Sequence, residues 1–418
     1  MKNILLALSV LLGIFSGSLI IQAQENQTMK KNAYWCYIGT YTNDLNEEMQ
    51  SLGAKKTEGI MVASYDPDSG SLGMPRLVAK ISNPTYFAIS ADEKFLYAVE
   101  EGSPDKGTAN VAAYRIDPQT GDLAFLNKKE TGGRAPCHLS VDPFLGKYLG
   151  AANYGGGDFV FYRLNEDGSI GEQTDRIQKK EEGKDPRGHS VVWSSIPSDD
   201  ALKVYLADLG SDKIHVGSID KKSGKFTADP HVPFLAAPDG EGPRHSVVCP
   251  VKGGEYVVFN NELGSTVQAF FLDGSSAKSC GSVSSVPKEF LGKTTCRKNL
   301  VDGEKYTLYN STAEIVFLPK SEKIYVSNRG HDSIAVYDFP SRTAEPGKAA
   351  LTIRQFIPTE GKMPRFIGLD PECRFMIACN QSSGSVFTYR IEEDGSLVKT
   401  KNPVWCIGWP VALQFVKR

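Results

Sequence analysis

Residues 242–272 read GPRHSVVCPVKGGEYVVFNNELGSTVQAFFL. Two short apolar runs, His245–Cys249 and Glu255–Phe259, read as buried β-strands joined by a glycine turn. Arg244 and His245 stand at the entry to the first strand, and Glu262 lies just past the end of the second. Charge at the rim of an apolar strand must be solvated, paired or used. What the strands build therefore decides what these residues do. The same unit recurs before and after this stretch. It appears as NPTYFAISADEKFLYAVEE (83–101), APCHLSVDPFLGKYLGAANYGGGDFVFYRL (135–164) and DPRGHSVVWSSIPSDDALKVYLADLGSDKIHVGSI (185–219). It returns as STAEIVFLPKSEKIYVSNRGHDSIAVYDF (311–339) and MPRFIGLDPECRFMIACNQSSGSVFTYRI (363–391), and a shortened copy, WPVALQFVKR, occupies 409–418.

Glycines count the units independently. Gly70, Gly121, Gly168, Gly224, Gly274, Gly347 and Gly395 each close a polar turn such as DPDSG or NEDG. Hairpin turns need positive φ there, which glycine adopts freely. The seven recur about every 50 residues, with one longer gap from Gly274 to Gly347 that holds a polar insertion at 275–308. Short alternating strands at that period, with no helical pattern, indicate an all-β seven-bladed β-propeller. The last blade is expected to be closed by the N-terminal strands YWCYIGTYT and GIMVASY pairing with the C-terminal strand VALQFV, which removes an exposed sheet edge. Two β-sandwich domains would not explain one period across the chain.

The chain has 418 residues, 40 of them glycine, and a net charge of −2. No basic footprint favours nucleic acid. Residues 1–23 join Lys2 to an apolar run from Ile4 and end in small or polar residues near Ala23, the pattern of a secretory signal peptide. The apolar run is long, so an uncleaved membrane anchor competes with that reading. No other stretch could span a bilayer. Residues 24–33 then form a linker and 34–418 the propeller. The expected location is the periplasm or the cell exterior, with no membrane association after cleavage. Of eight cysteines, Cys137, Cys249, Cys373 and Cys379 fall in or beside apolar runs and read as buried thiols. Cys280 and Cys296 share a polar segment and could close it as a disulfide.

Two sets of polar residues repeat with the blades. His138, His189 and His245 start the first strand of three units, in PCHLSV, PRGHSVV and GPRHSVV. Asn153, Asp208, Asn261 with Glu262, Asn328 with Arg329 and His331, and Asn380 follow the second strand. Equivalent positions in radially arranged blades converge on the axis, so one channel mouth is expected to gather imidazoles, amides, Glu262, Arg244 and Arg329. Asn and Asp after a strand also cap turns, which is the competing reading for that set. His215 and His231 fall outside both sets and are expected at the surface. YGGGD at 154–158 lacks the Lys and helix of a phosphate loop and reads as a blade loop needing room near the axis.

The run GPRH…NNELGS resembles the lactonase family of seven-bladed propellers, which includes propeller-type 6-phosphogluconolactonases and fungal carboxymuconate cyclases. SNRGHDSIAVY, PRFIGLDP, ADLGSDKI and the opening YIGTYT are similar to its blade motifs. The resemblance spans 34–418. In its cyclase branch a His, a Glu and two Arg are implicated in catalysis, which implies those roles for His138, Glu262, Arg244 and Arg329; the converging repeat positions add His189, His245, Asn153, Asn261, Asn328, His331 and Asn380 around the substrate. Opening a lactone takes a base for water, stabilisation of an oxyanion, and a proton for the leaving alkoxide. Glu262 and His138 suit the proton transfers, and forked guanidinium groups suit an anionic substrate. The substrate class is a small anionic lactone or sugar acid, with no cofactor and a monomeric chain. The same groups could run lactone formation from a muconate or hold an anion without turnover. Calcium at Glu262 and the amides is opposed by the neighbouring Arg and His. No nucleophile elbow is present.

Overall fold

The computed structural model describes residues 34–42, 50, 55–101, 109–291, 310–402 and 404–418. Its strands form seven antiparallel sheets, one per blade. The inner strands are Phe87–Ile89, Pro136–Val141, Gly188–Trp193, Pro243–Val251, Ser311–Leu318, Pro364–Leu369 and Trp409–Lys417 for blades 1 to 7. Second strands such as Tyr148–Asn153 and Lys323–Arg329 are buried along their whole length. Each of their faces meets another blade, so apolar residues are needed at nearly every position rather than at alternate ones. The core is accordingly a ring of inter-blade layers. Between blades 4 and 5, Tyr256, Val258 and Phe271 pack with Ile315, Ile324 and Tyr337.

Blade 7 is closed as expected. Trp409–Lys417 pairs with Tyr34–Tyr41, which pairs with Gly59–Asp66, and Ser71–Leu72 and Arg76–Lys80 lie outermost. Tyr34 stands opposite Lys417.

All seven turn glycines connect third to fourth strands, with φ between +71° and +95°. Six of these seven glycines lean on the preceding blade, Gly274 standing in open space, and a tyrosine of that blade's second strand fastens several of the hairpins. Tyr37 donates to the Gly121 carbonyl at 3.0 Å, Tyr97 to that of Gly168 at 3.0 Å and Tyr325 to that of Gly395 at 2.7 Å. At Gly168 a Cβ would lie 2.2 Å from the Phe95 ring. Gly168→Val combines a left-handed conformation with overpacking and is expected to cost about 3 kcal/mol. Urea unfolding checks this, and an unchanged midpoint would contradict the seating of the hairpin on blade 1.

Three expectations change. Residues Ala277–Ser284 form the regular fourth strand of blade 4, pairing with Thr266–Leu272, so the insertion expected at 275–308 starts only after them. Alternation across a half-exposed outer strand is too weak in a Ser-rich sequence to reveal it. His215 is buried inside blade 3, its Nε2 3.6 Å from Asp208 Oδ2, whereas His231 is exposed. Cys137, Cys249 and Cys379 are buried thiols, while Cys373 is only half-buried. The signal peptide and linker expected at 1–33, and Cys296 of the expected disulfide, lie outside the described residues.

Candidate active site

Six of the seven inner strands deliver a side chain to the axis near their start, His189 from one register position earlier than His138. His138, His189 and His245 are joined there by Tyr86, Glu314 and Phe366. The rings form a septum: Tyr86 stacks on His138 with centroids 4.2 Å apart, and His245 lies 5.0 Å from His138 and 5.2 Å from His189. Two axial cavities flank it and share no lining residue. One, of about 470 Å³, runs along the later part of the inner strands and is bounded by His138, His245 and Glu314. The other, of about 490 Å³, lies where the inner strands begin. It is lined by Glu101, Arg134, Tyr154, Arg187, His189, Glu262 and Arg365, with Cys137 at its floor.

Glu262 is fixed by its turn: its N–H donates to the Gly242 carbonyl at 2.7 Å, and its own carbonyl accepts from Thr312 at 3.2 Å. Its carboxylate takes Arg244 Nε at 2.9 Å on Oε2 and Arg329 at 3.1 Å on Oε1. His189 Nε2 lies 3.6 Å from Oε2. Burial pushes this carboxyl up, but Arg329 and Arg244 outweigh it and hold it at about 2. Burial lowers Arg329 to about 10. All three septum histidines are held well below the ordinary histidine range, chiefly by burial, and are neutral imidazoles. Burial pushes the Cys137 thiol up to about 12, which makes it a poor nucleophile at neutral pH.

Three more arginines ring the pocket. Arg365 lies over the Tyr41 ring at 5.4 Å; although burial opposes its charge, Tyr41, Glu101 and Glu262 raise its pKa. Arg187 lies over Tyr154 at 5.5 Å, and Arg134 donates to the Gly155 carbonyl at 2.9 Å. At Gly156 a Cβ would lie 2.2 Å from Asp158 Oδ1, so the YGGGD run answers close packing at this mouth. Arg134, Arg187 and Arg365 line the pocket, Arg244 and Arg329 pair with its Glu262, and these guanidinium groups outnumber the two carboxylates, Glu262 and Glu101.

The structure brings Glu262, Arg244, Arg329 and His189 together as expected, and His245 reaches them through Arg244 while bounding the cavity beyond the septum. It separates the others. His138 lines the cavity beyond the septum, its Nδ1 accepting from the Val191 N–H at 3.3 Å, and the place beside Glu262 expected for it belongs to His189. Asn153, Asn261, Asn328 and Asn380 are fully buried. Their Nδ2 groups bond to Asp158 at 2.8 Å, Thr266 at 2.8 Å, the Ser285 carbonyl at 2.7 Å and the Thr359 carbonyl at 2.8 Å. Asp208 likewise accepts from the N–H groups of Arg187, Gly210 and Ser211. A fully buried amide engaged within its own blade or with the segment entering it offers no surface to a ligand, so the turn-capping reading replaces the substrate-binding one. His331 lines neither cavity; its Nδ1 lies 2.7 Å from Ser333 Oγ and its ring faces Phe290 and Phe356. Sequence reasoning missed Arg365 and Glu314. MPRFIGL places Arg365 at the repeat position of Arg244, and STAEIVF places Glu314 at that of His245, so the alignment of the units carried both.

A family profile described as "Lactonase, 7-bladed beta-propeller" matches residues 35–415. The 6-phosphogluconolactonase of Bacillus subtilis is 30% identical over 391 residues, covering 92% of this chain and 98% of that one. The 6-phosphogluconolactonase of Formosa agariphila is 29% identical over 368 residues, covering 87% and 94%. A solved structure from Bacteroides fragilis superposes with a TM-score of 0.75 at 25% identity, covering 93% of this chain and 99% of that one.

Proposed function

Because the chain belongs to the lactonase family of seven-bladed β-propellers, we propose that it hydrolyses an anionic sugar-acid lactone in the pocket around His189 and Glu262. The observation that carries this reading is a neutral imidazole facing an ionised carboxylate at 3.6 Å within a ring of guanidinium groups. A water lying beside both groups and donating to His189 Nε2, the bare ring nitrogen, and to Glu262 attacks the lactone carbonyl carbon and passes its proton to Nε2. Glu262 stabilises the imidazolium that forms, as a carboxylate does for a catalytic histidine elsewhere. Guanidinium groups take the charge that develops on the carbonyl oxygen. The tetrahedral intermediate then expels the ring oxygen, which receives the proton from His189 and leaves a hydroxy acid. Arg365, Arg187 and Arg134 hold the phosphate or carboxylate of substrate and product, and export from the cytoplasm follows from residues 1–23.

The test is acid release from freshly prepared 6-phosphogluconolactone and from unphosphorylated δ- and γ-lactones, with spontaneous opening subtracted. Acceleration of one of them supports the reading; no acceleration of any overturns it. Arg365→Gln is expected to raise KM for the phosphorylated lactone about 10- to 100-fold while changing kcat little, because a charge-assisted contact contributes about 1.5–3 kcal/mol. Equal effects on phosphorylated and neutral lactones would take Arg365 out of anion binding.

A further inference from the structure

Glu262, Arg244, His245 and Glu314 make one line of contacts through the septum, from the substrate pocket to the cavity beyond it. Arg244 Nε bonds to Glu262, and its NH1 lies 3.3 Å from His245 Nε2. A guanidinium group only donates. The His245 Nε2 that faces it is therefore the bare nitrogen, and the single ring proton sits on Nδ1. Nδ1 lies 2.8 Å from Glu314 Oε1, which also accepts from the Ile315 N–H at 3.2 Å. His138 is the reverse case: its Nδ1 accepts from Val191, so its proton sits on Nε2. Which nitrogen of a histidine carries the proton is set by the bond the other one makes.

We infer that Glu314 is a positioning residue: by accepting from Nδ1–H it fixes His245 in the tautomer that admits Arg244, and Arg244 in turn holds Glu262. Its kinetic consequence rests on the lactonase reading; the tautomer does not. Without the acceptor, His245 is free to carry its proton on Nε2, where it meets Arg244 donor to donor. Arg244 then withdraws, and Glu262 loses one of the two cations that keep it ionised. The other groups facing Glu314 are Arg244, Arg365, His138 and the Tyr86 hydroxyl. The arginines only donate and the accepting nitrogen of His138 is occupied; the Tyr86 hydroxyl can accept, but its ring meets His245 edge-on with centroids 5.5 Å apart and stacks on His138 instead. Burial pushes Glu314 up to about 7. Oε1 accepts in either state, because an acid proton has Oε2 to occupy.

The experiment is long-range ¹⁵N–¹H spectroscopy of the full chain labelled at histidine, with pH–rate profiles on the lactone the wild type opens best. His245 is expected as the neutral Nδ1–H tautomer and His138 as Nε2–H. In Glu314→Leu, His245 is expected to leave the Nδ1–H form and kcat/KM to fall about 10- to 100-fold. The acid limb of the profile is expected to move up by about one pH unit, as a carboxylate relieved of one nearby cation titrates higher. Glu314→Gln keeps an accepting oxygen, so it is expected to retain the Nδ1–H signal and recover most of the lost rate. A wild-type His245 protonated on Nε2 overturns the inference, as does a Glu314→Leu variant with unchanged tautomer and acid limb. If no lactone is turned over, the functional reading falls alone and the spectra still decide the role of Glu314.

Discussion

Glu262→Gln is expected to lower kcat/KM for lactone opening by about 10²- to 10³-fold, the lower part of the 10²- to 10⁴-fold that a general acid–base group contributes, because it removes the charge that stabilises that group rather than the group itself. The amide cannot stabilise an imidazolium at His189. It also leaves Arg244 and Arg329, both buried, without a counter-charge. Breaking a buried pair in this way costs about 3–5 kcal/mol, so the loss of rate has to be read below the variant's unfolding temperature. The stability difference should depend on pH in a defined sense. A carboxyl held at about 2 in the fold, against 4.5 ordinarily, stabilises the folded chain above pH 4.5 and ceases to do so as pH falls toward 2. The gap in urea midpoint between wild type and variant should thus be widest above about pH 5 and close on acidification. Wild-type kcat/KM, corrected for spontaneous opening, should stay level from about pH 8 to about 6, because burial keeps His189 neutral throughout. Full activity in Glu262→Gln on a lactone that the wild type opens would remove the carboxylate from the chemistry.

Ending the chain at Gly408 is expected to abolish cooperative folding. The deleted strand, Trp409–Lys417, is the inner strand of blade 7 and pairs along all of Tyr34–Tyr41. Its Ala412 and Val416 pack toward blade 1, while Leu413 packs toward blade 6. Val411, Leu413 and Val416 are each at most 2% exposed. At about 1.5–3 kcal/mol for each such side chain, their loss alone approaches the about 5–15 kcal/mol that holds a typical domain together. The unpaired edge of Tyr34–Tyr41 would also offer itself to other chains. A truncated protein that is monomeric and unfolds in one transition at the wild-type midpoint would refute the closure.

The propeller is legible because its determinants are local. A hairpin that requires positive φ selects glycine in all seven blades, and second strands buried on both faces select unbroken apolar runs. The site is less legible because it depends on where each strand sits along the axis. His138 and His189 look alike in the sequence, yet one faces the cavity beyond the septum and the other faces Glu262, because they differ by one place in register: His138 lies two residues past the Pro136–Asn153 pair and His189 one residue past the Gly188–Asp208 pair. The polar residues closing the second strands look alike in the sequence. Only the geometry separates Glu262, which turns into the pocket, from Asn261 beside it, which turns into its own blade. Arg365 was hidden by its neighbour: Phe366 replaces the histidine of the other units, so the unit did not resemble GPRH although its Pro-Arg pair is in phase.

The antiparallel seam at Tyr34 and Lys417 puts the sequence repeat and the blade out of step by one strand. Topologically the chain is a circle with a single nick, and the nick lies within a sheet. Arrays of repeats usually lengthen by adding units at an end, where each new unit needs only its neighbour. Here neither end presents a vacant neighbour position. A further repeat appended after residue 418 could dock only by prising Tyr34–Tyr41 from its partner. The number of blades is therefore locked by the way the ring is fastened, and with it the bore at the axis and the set of side chains that can meet there.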